Sequence, residues 1–143
     1  MKVTAPIMNN VLQAIELSPT GVTHLMLEDC SVYSQATKIL AEFLHKRQKL
    51  KKLSLLGVRF NDTQEVKWVL EGVTKSMSLR HLVLNGNNYN ELALAEPFQQ
   101  LITNCRTLRD IDLSACIFNP RVLQKIFESL LKGNIWKFTL RNI

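Results

Sequence analysis

Apolar residues along this chain fall into two alternating kinds of segment. The first kind is short and strictly patterned. It occurs at Val22-Thr23-His24-Leu25-Met26-Leu27, Leu50-Lys51-Lys52-Leu53-Ser54-Leu55, Leu79-Arg80-His81-Leu82-Val83-Leu84, Leu108-Arg109-Asp110-Ile111-Asp112-Leu113 and Ile135-Trp136-Lys137-Phe138-Thr139-Leu140. The first residues of these segments are 28, 29, 29 and 27 positions apart. Their L-x-L centres alternate with period two, which predicts a short strand with its apolar side chains on one face. A fourth apolar position follows at Val32, Phe60, Tyr89 and Phe118. At 46% apolar content, filling all four positions in four copies by chance has odds on the order of one in a few hundred thousand. The spacing is therefore a real internal repeat.

The second kind of segment has helical spacing. Gln35 to Arg47 places Ile39, Leu40, Phe43 and Leu44 on one stripe. Thr63 to Lys75 does the same with Val66, Val69, Leu70 and Val73 after an Asn61-Asp62 start signal. Leu123 to Lys132 offers Ile126, Phe127, Leu130 and Leu131, with Gly133 as a C-terminal stop. Val11, Leu12 and Ile15 form a similar stripe before the first strand. Glu91 to Cys105 contains Pro97, so its helix is expected to start late, with Pro97 in the first turn and Phe98, Leu101 and Ile102 facing the sheet.

Each strand segment continues to a fixed turn position, held by Cys30, Val58, Asn87, Cys116 and Ile143. The whole reads L-x-x-L-x-L-x-x-(N/C)-x-L. With its strand–helix period of 28 or 29 residues, the chain resembles the ribonuclease-inhibitor type of leucine-rich repeat. The resemblance runs from about Val11 to Ile143. It implies an α/β fold: a right-handed solenoid, or horseshoe, with short parallel strands on the concave face and helices on the convex face. Residues 1–143 are expected to form one such domain of about four to five repeats. The segment ending at Ile143 stops within the signature, so the expectation includes a piece of a longer protein or an uncapped array. Val58 and Ile143 cannot hydrogen-bond through their side chains, so the turn at Val58 is expected to rest on packing or water. Asn85-Gly86 alone would suggest a hairpin, but it falls at the repeat position of Glu28-Asp29 and Ser114-Ala115 and is read as part of the turn. A doubly wound enzyme would need continuous apolar strands and a phosphate loop, and neither is present.

Strands stacked in this way align equivalent residues in columns. One is His24, Lys52, His81, Asp110 and Lys137. The next is Met26, Ser54, Val83, Asp112 and Thr139. A third is Glu28, Leu56, Asn85, Ser114 and Arg141. An edge column is Thr23, Lys51, Arg80, Arg109 and Trp136. Residues of the first three columns, Arg141 apart, are the candidate partner-binding set. Met26, Leu56 and Val83 lie on neighbouring strands and make either a shallow apolar contact area or ordinary isolated surface residues. Trp136 is either an interface anchor or, as expected here, a cover for the open end of the last repeat.

Charge sharpens this picture. Eighteen Lys and Arg against twelve Asp and Glu give a net +6. The cations gather where strands begin: Lys46, Arg47, Lys49, Lys51 and Lys52 form one run, and Arg80, Arg106, Arg109, Lys132 and Lys137 fall near the same edge. Such a rim either steers an acidic protein surface inward or is simply a solvated edge. Nucleic acid is disfavoured, because no nucleic-acid motif or interleaved aromatic series accompanies the charge.

Catalytic chemistry has little to work with, and no enzyme activity is expected. The three cysteines include no CxxC and are expected to be reduced, with Cys30 and Cys116 as inert core thiols. His24 and His81 stand two strands apart, about 10 Å by strand spacing, too far to share a metal. Asp110 and Asp112 have no evident partner base or nucleophile. No cofactor, metal or small-molecule substrate is expected, and no membrane span, since no run reaches about 18 apolar residues. Reduced thiols point to a cytosolic or nuclear address, taken here as cytoplasmic, and the expected role is a non-catalytic module that binds another protein through its concave face and basic rim. Self-association through uncapped ends is a further expectation. Similar repeats occur in cytosolic innate-immune receptors, actin-regulating proteins, the activator of the Ran GTPase and effectors of intracellular bacteria. Two alternatives therefore remain open: a GTPase-activating or other regulatory module, for which Arg80 and Arg109 are candidates, and a structural or sensor segment of a larger receptor or effector.

Overall fold

Local signals set the helix boundaries. Pro6, Pro97 and Pro120 all lie in first turns, where a missing N–H is tolerated, in α1 (Ala5–Leu17), α4 (Ala95–Asn104) and α5 (Pro120–Leu130). The helix of the Pro97 segment thus starts late, preceded by a 3₁₀ turn over Leu92–Leu94. α5 starts three residues before the apolar stripe suggests, because Asn119 Oδ1 accepts the Arg121 N–H at 2.9 Å. α2 spans Ser34–His45. α3 (Thr63–Thr74) opens with a reciprocal cap. Asp62 Oδ1 accepts the Glu65 N–H at 3.0 Å, while Glu65 Oε2 accepts the Asn61 N–H at 2.6 Å.

The computed structural model describes all residues, Met1–Ile143. It is an α/β structure with five helices and parallel strands. The main sheet contains β2 (His24–Glu28), β4 (Lys52–Leu56), β6 (His81–Val83), β8 (Asp110–Asp112) and β10 (Lys137–Thr139), in the order β10-β8-β6-β4-β2. Every neighbouring pair is parallel, so Leu25, Leu53, Leu82, Ile111 and Phe138 lie in one row. β6 pairs in parallel on both sides, and Asn85-Gly86 makes no hairpin. Short strands after the turns add pairings that the sequence pattern did not signal. β1 (Lys2–Val3), β3 (Ser31–Val32) and β5 (Arg59–Phe60) form one parallel ladder, and β7 (Asn88–Tyr89) with β9 (Ile117–Phe118) another.

Consecutive helices pack side by side, and a single cluster of 32 buried apolar residues joins helices to strands. Tyr89 and Phe98 of this cluster pack with partly buried Phe118, with ring centroids 5.2 to 6.1 Å apart. Between α2 and α3 a Cβ at Gly72 would come within 2.7 Å of the Ala41 carbonyl oxygen, so glycine sets that helix spacing.

One turn residue after each main strand takes a positive φ: Asp29 at 49°, Gly57 at 58°, Gly86 at 72°, Ala115 at 57° and Asn142 at 56°. Glycine adopts this conformation freely, and Asp, Asn and Ala only with side-chain or ladder support. The turn at Val58 does not rest on packing or water as expected. Asn87 reaches across from the next strand, and its Oδ1 accepts the Val58 N–H at 2.9 Å. Its Nδ2 donates to the carbonyls of Leu55 and Leu84 at 2.8 and 2.7 Å. Three N–H groups here turn to side chains: Val58 to Asn87, Asn61 to Glu65 and Asn90 to Asn88. β5 and β7 do not pair with each other, and a cavity of about 670 Å³ opens beside them.

Three expectations at the β10 end are corrected. Ile126 is buried, but Phe127 is 46% and Leu131 89% exposed, because α5 has a helical neighbour only on the α4 side. Gly133 is not the helix stop; α5 ends at Leu130, and glycine is needed there because a Cβ would strike the Ile102 carbonyl oxygen. Trp136 is 86% exposed and covers nothing.

Candidate functional site

The main sheet turns its buried rows to the helices and the intervening residues to the other face. Pairing fixes the first two columns: His24, Lys52, His81, Asp110 and Lys137, and Met26, Ser54, Val83, Asp112 and Thr139. Glu28 and Leu56 also pair, whereas Asn85, Ser114 and Arg141 lie just beyond the paired segments. Most of these side chains reach the surface, with Met26 59% exposed and Leu56 and Val83 half-buried. Ser54 and Ser114 differ from the expected open position. Ser54 is 3% exposed between Met26 and Val83, and Ser114 is 8% exposed in a hydrogen-bonded network.

That network shows where the acidic residues act. Asp112 accepts from the Ser114 N–H and hydroxyl at 3.0 and 2.6 Å and from Asn85 Nδ2 at 3.3 Å. The Ser114 hydroxyl oxygen in turn accepts the Arg141 N–H at 3.0 Å. Partial burial works to raise the Asp112 carboxyl, but the Ser114 and Asn85 hydrogen bonds, aided by nearby Arg141, hold it below the ordinary 3.8. Asp110 pairs with His81, Nδ1 to Oδ2 at 3.1 Å. The two carboxylates therefore serve different neighbours. Sequence reasoning placed His81 and Asp110 in one column but did not pair them; their adjacency in that column was the available signal.

The beginning of each strand has a regular backbone arrangement. The Thr23 carbonyl accepts from the N–H groups of Lys51 and Lys52, that of Lys51 from Arg80 and His81, that of Arg80 from Arg109 and Asp110, and that of Arg109 from Trp136 and Lys137. The edge column is thus a row of adjacent residues with Lys51, Arg80 and Arg109 at its centre. Lys46, Arg47, Lys49, Lys52, Lys75, Arg106, Lys132 and Lys137 share this edge or the helix ends leading to it. Lys75, just past α3, belongs with them, although the sequence reading left it in the helix. Among the strand-start residues the carboxylate is Asp110, which faces His81, and Glu16 lines one cavity with Arg47 and Lys49. The two ion pairs of the molecule are His81–Asp110 and Lys125–Glu128, so none of the edge lysines and arginines is neutralised by a close acid. Arg109 donates to the Leu108 carbonyl at 2.9 Å, whereas Arg80 is exposed. Near the run from Lys46 to Lys49, Ile15 and Phe43 line a cavity of about 470 Å³ with Arg47 and Lys49.

The thiols are buried at Cys30, Cys105 and Cys116. Burial pushes Cys30 and Cys116 above the ordinary thiol value, which favours the protonated form. Burial also pushes the Tyr89 hydroxyl well up. No group of three or more His, Cys, Asp or Glu is placed to hold a metal. No helix is long and apolar enough to cross a membrane. Neither the comparison with protein-family models nor that with curated proteins returns a match.

Proposed function

We propose that the chain is a leucine-rich-repeat solenoid of the ribonuclease-inhibitor type that works as a non-catalytic binding module in the cytoplasm. Its partner is a protein with an acidic surface, held on the open face of the five-stranded sheet and its strand-start edge. One observation carries this reading: Lys51, Arg80 and Arg109 stand on successive strands, in an edge rich in cations without close acidic partners. Unneutralised like charges on neighbouring strands oppose folding slightly, and a partner that pairs with them relieves that cost. Met26, Leu56 and Val83 supply apolar contact beside the charges. Backbone pairing holds these side chains in a fixed array, so little conformational entropy is lost on binding.

The test has two arms. A labelled oligoglutamate peptide is expected to bind at low salt and weaken as salt rises. Lys51→Glu with Arg80→Glu is expected to reduce binding by about tenfold or more. Peptide binding untouched by that double variant rejects the edge. Partner recovery from lysate is then compared between wild type and the Met26→Glu, Leu56→Glu, Val83→Glu variant. Unchanged recovery rejects the sheet face.

A further inference from the structure

The loop from α2 into β4 is the densest stretch of positive charge in the chain, with five cations in the seven residues from Lys46 to Lys52. Its one uncharged polar residue holds it in shape. Gln48 Oε1 accepts the Leu50 N–H at 2.5 Å, and its Nε2 donates to the Leu44 carbonyl at 3.4 Å. Arg47 and Lys49, on either side of Gln48, stay exposed, and neither forms an ion pair. Both line the cavity of about 470 Å³ that opens where this loop meets α1 and α2.

That cavity combines two chemistries. Ile15 of α1, half-buried, and Phe43 of α2, 4% exposed, give it apolar surface. The loop side carries the two unpaired cations, and the α1 side carries Glu16, which pairs with neither of them. A purely acidic segment leaves the apolar surface in water, and a purely apolar one leaves the cations unmet. The same combination recurs one repeat along. Leu79 is the equivalent of Leu50, so Met77 is the equivalent of Gln48. Met77 is 63% exposed, in a loop that also exposes Lys75 and Arg80.

We infer that the partner presents a large apolar side chain flanked by carboxylates. The side chain seats against Ile15 and Phe43, and the carboxylates meet Arg47 and Lys49. This rests on the acidic-partner reading of the edge and adds a fixed point of attachment to it. Charge repeated along an edge lets an acidic segment slide, whereas one apolar anchor in a desolvated pocket sets its register. Glu16 orients the segment, because it repels a carboxylate on the α1 side and leaves the loop side as the place for acid. From the cavity the segment continues past Lys51 towards Arg80, where Met77 offers a second apolar contact.

Two labelled peptides of equal charge test this by fluorescence anisotropy: oligoglutamate, and the same peptide with one phenylalanine inserted at its centre. The phenylalanine peptide is expected to bind the wild-type chain about tenfold more tightly. Ile15→Gln removes apolar surface without adding charge. It is expected to abolish that gain while holding oligoglutamate affinity within about twofold, which also shows that the variant folds. In the wild-type chain, the phenylalanine ring is expected to shift the Ile15 methyl resonances, and oligoglutamate to leave them in place. Equal affinity of the two peptides for the wild type, a gain that survives Ile15→Gln, or unshifted Ile15 methyls each overturn the anchor while the acidic-partner reading stands. Failure of both peptides to bind removes that reading and the anchor with it.

Discussion

Asn87 is the residue on which the centre of the structure most depends. Its carboxamide joins the backbone of two successive strands while buried at 8% exposure. Asn87→Ala strands the Val58 N–H and two carbonyls away from water, and each unmade bond costs about 1–3 kcal/mol. A loss of about 3 kcal/mol in urea unfolding is expected; a loss within about 0.5 kcal/mol would show that water replaces the amide. Asp112 makes a different prediction. Its folded-state pKa lies below its unfolded value, so its contribution is present above the unfolded value and is lost as pH falls through the folded one. Asp112→Asn is therefore expected to be less stable than wild type at about pH 6, with the difference shrinking at about pH 3. Urea midpoints at both values check this, and an equal difference at both removes the carboxylate from the account. The side-chain roles of Asn87 and Asp112 were only half legible. The turn position of Asn87 followed from spacing, but its partners lie 29 and 32 residues away and depend on which strands become neighbours.

Elements were more legible than contacts. Helical stripes and strand alternation are local properties, and the helices fall within a few residues of where those stripes placed them. Helix starts shifted where a cap such as Asn119 acted ahead of the apolar stripe. The two-residue strands after each turn were not visible, because so short a segment carries no periodicity. Their pairing comes from the main strands holding the chain in register. Helix spacing was equally hidden. Gly72 reads as an ordinary helix-interior glycine, yet it lies against the Ala41 backbone. Gly72→Ala should raise helix propensity by about 1 kcal/mol but force α2 and α3 apart at a cost of about 1–3 kcal/mol. A net fall in thermal midpoint is expected. A rise would mean that the helices shift without cost.

At the scale of the whole molecule, charge and apolar surface are distributed unevenly. Cations collect where the strands begin, and exposed apolar residues collect at the two ends of the sheet. The first follows from the sequence once strand starts are located, since equivalent residues stack one strand apart. The second does not follow from it. Phe127 and Leu131 satisfy the same helical spacing as buried Ile126, and Trp136 sits at the same repeat position as Arg109. Whether such residues are covered depends on whether another helix or strand lies beyond them, which no local pattern encodes. The sequence by itself determined the alternation of strand and helix, the row from Leu25 to Phe138 and the cationic edge, because each arises from periodic spacing. Tertiary structure alone decided that Asn87 supports the turn at Val58, that His81 meets Asp110 and that Ser54 and Ser114 are buried. These depend on atoms brought together from segments about one repeat apart, where distance in space and distance along the chain part company.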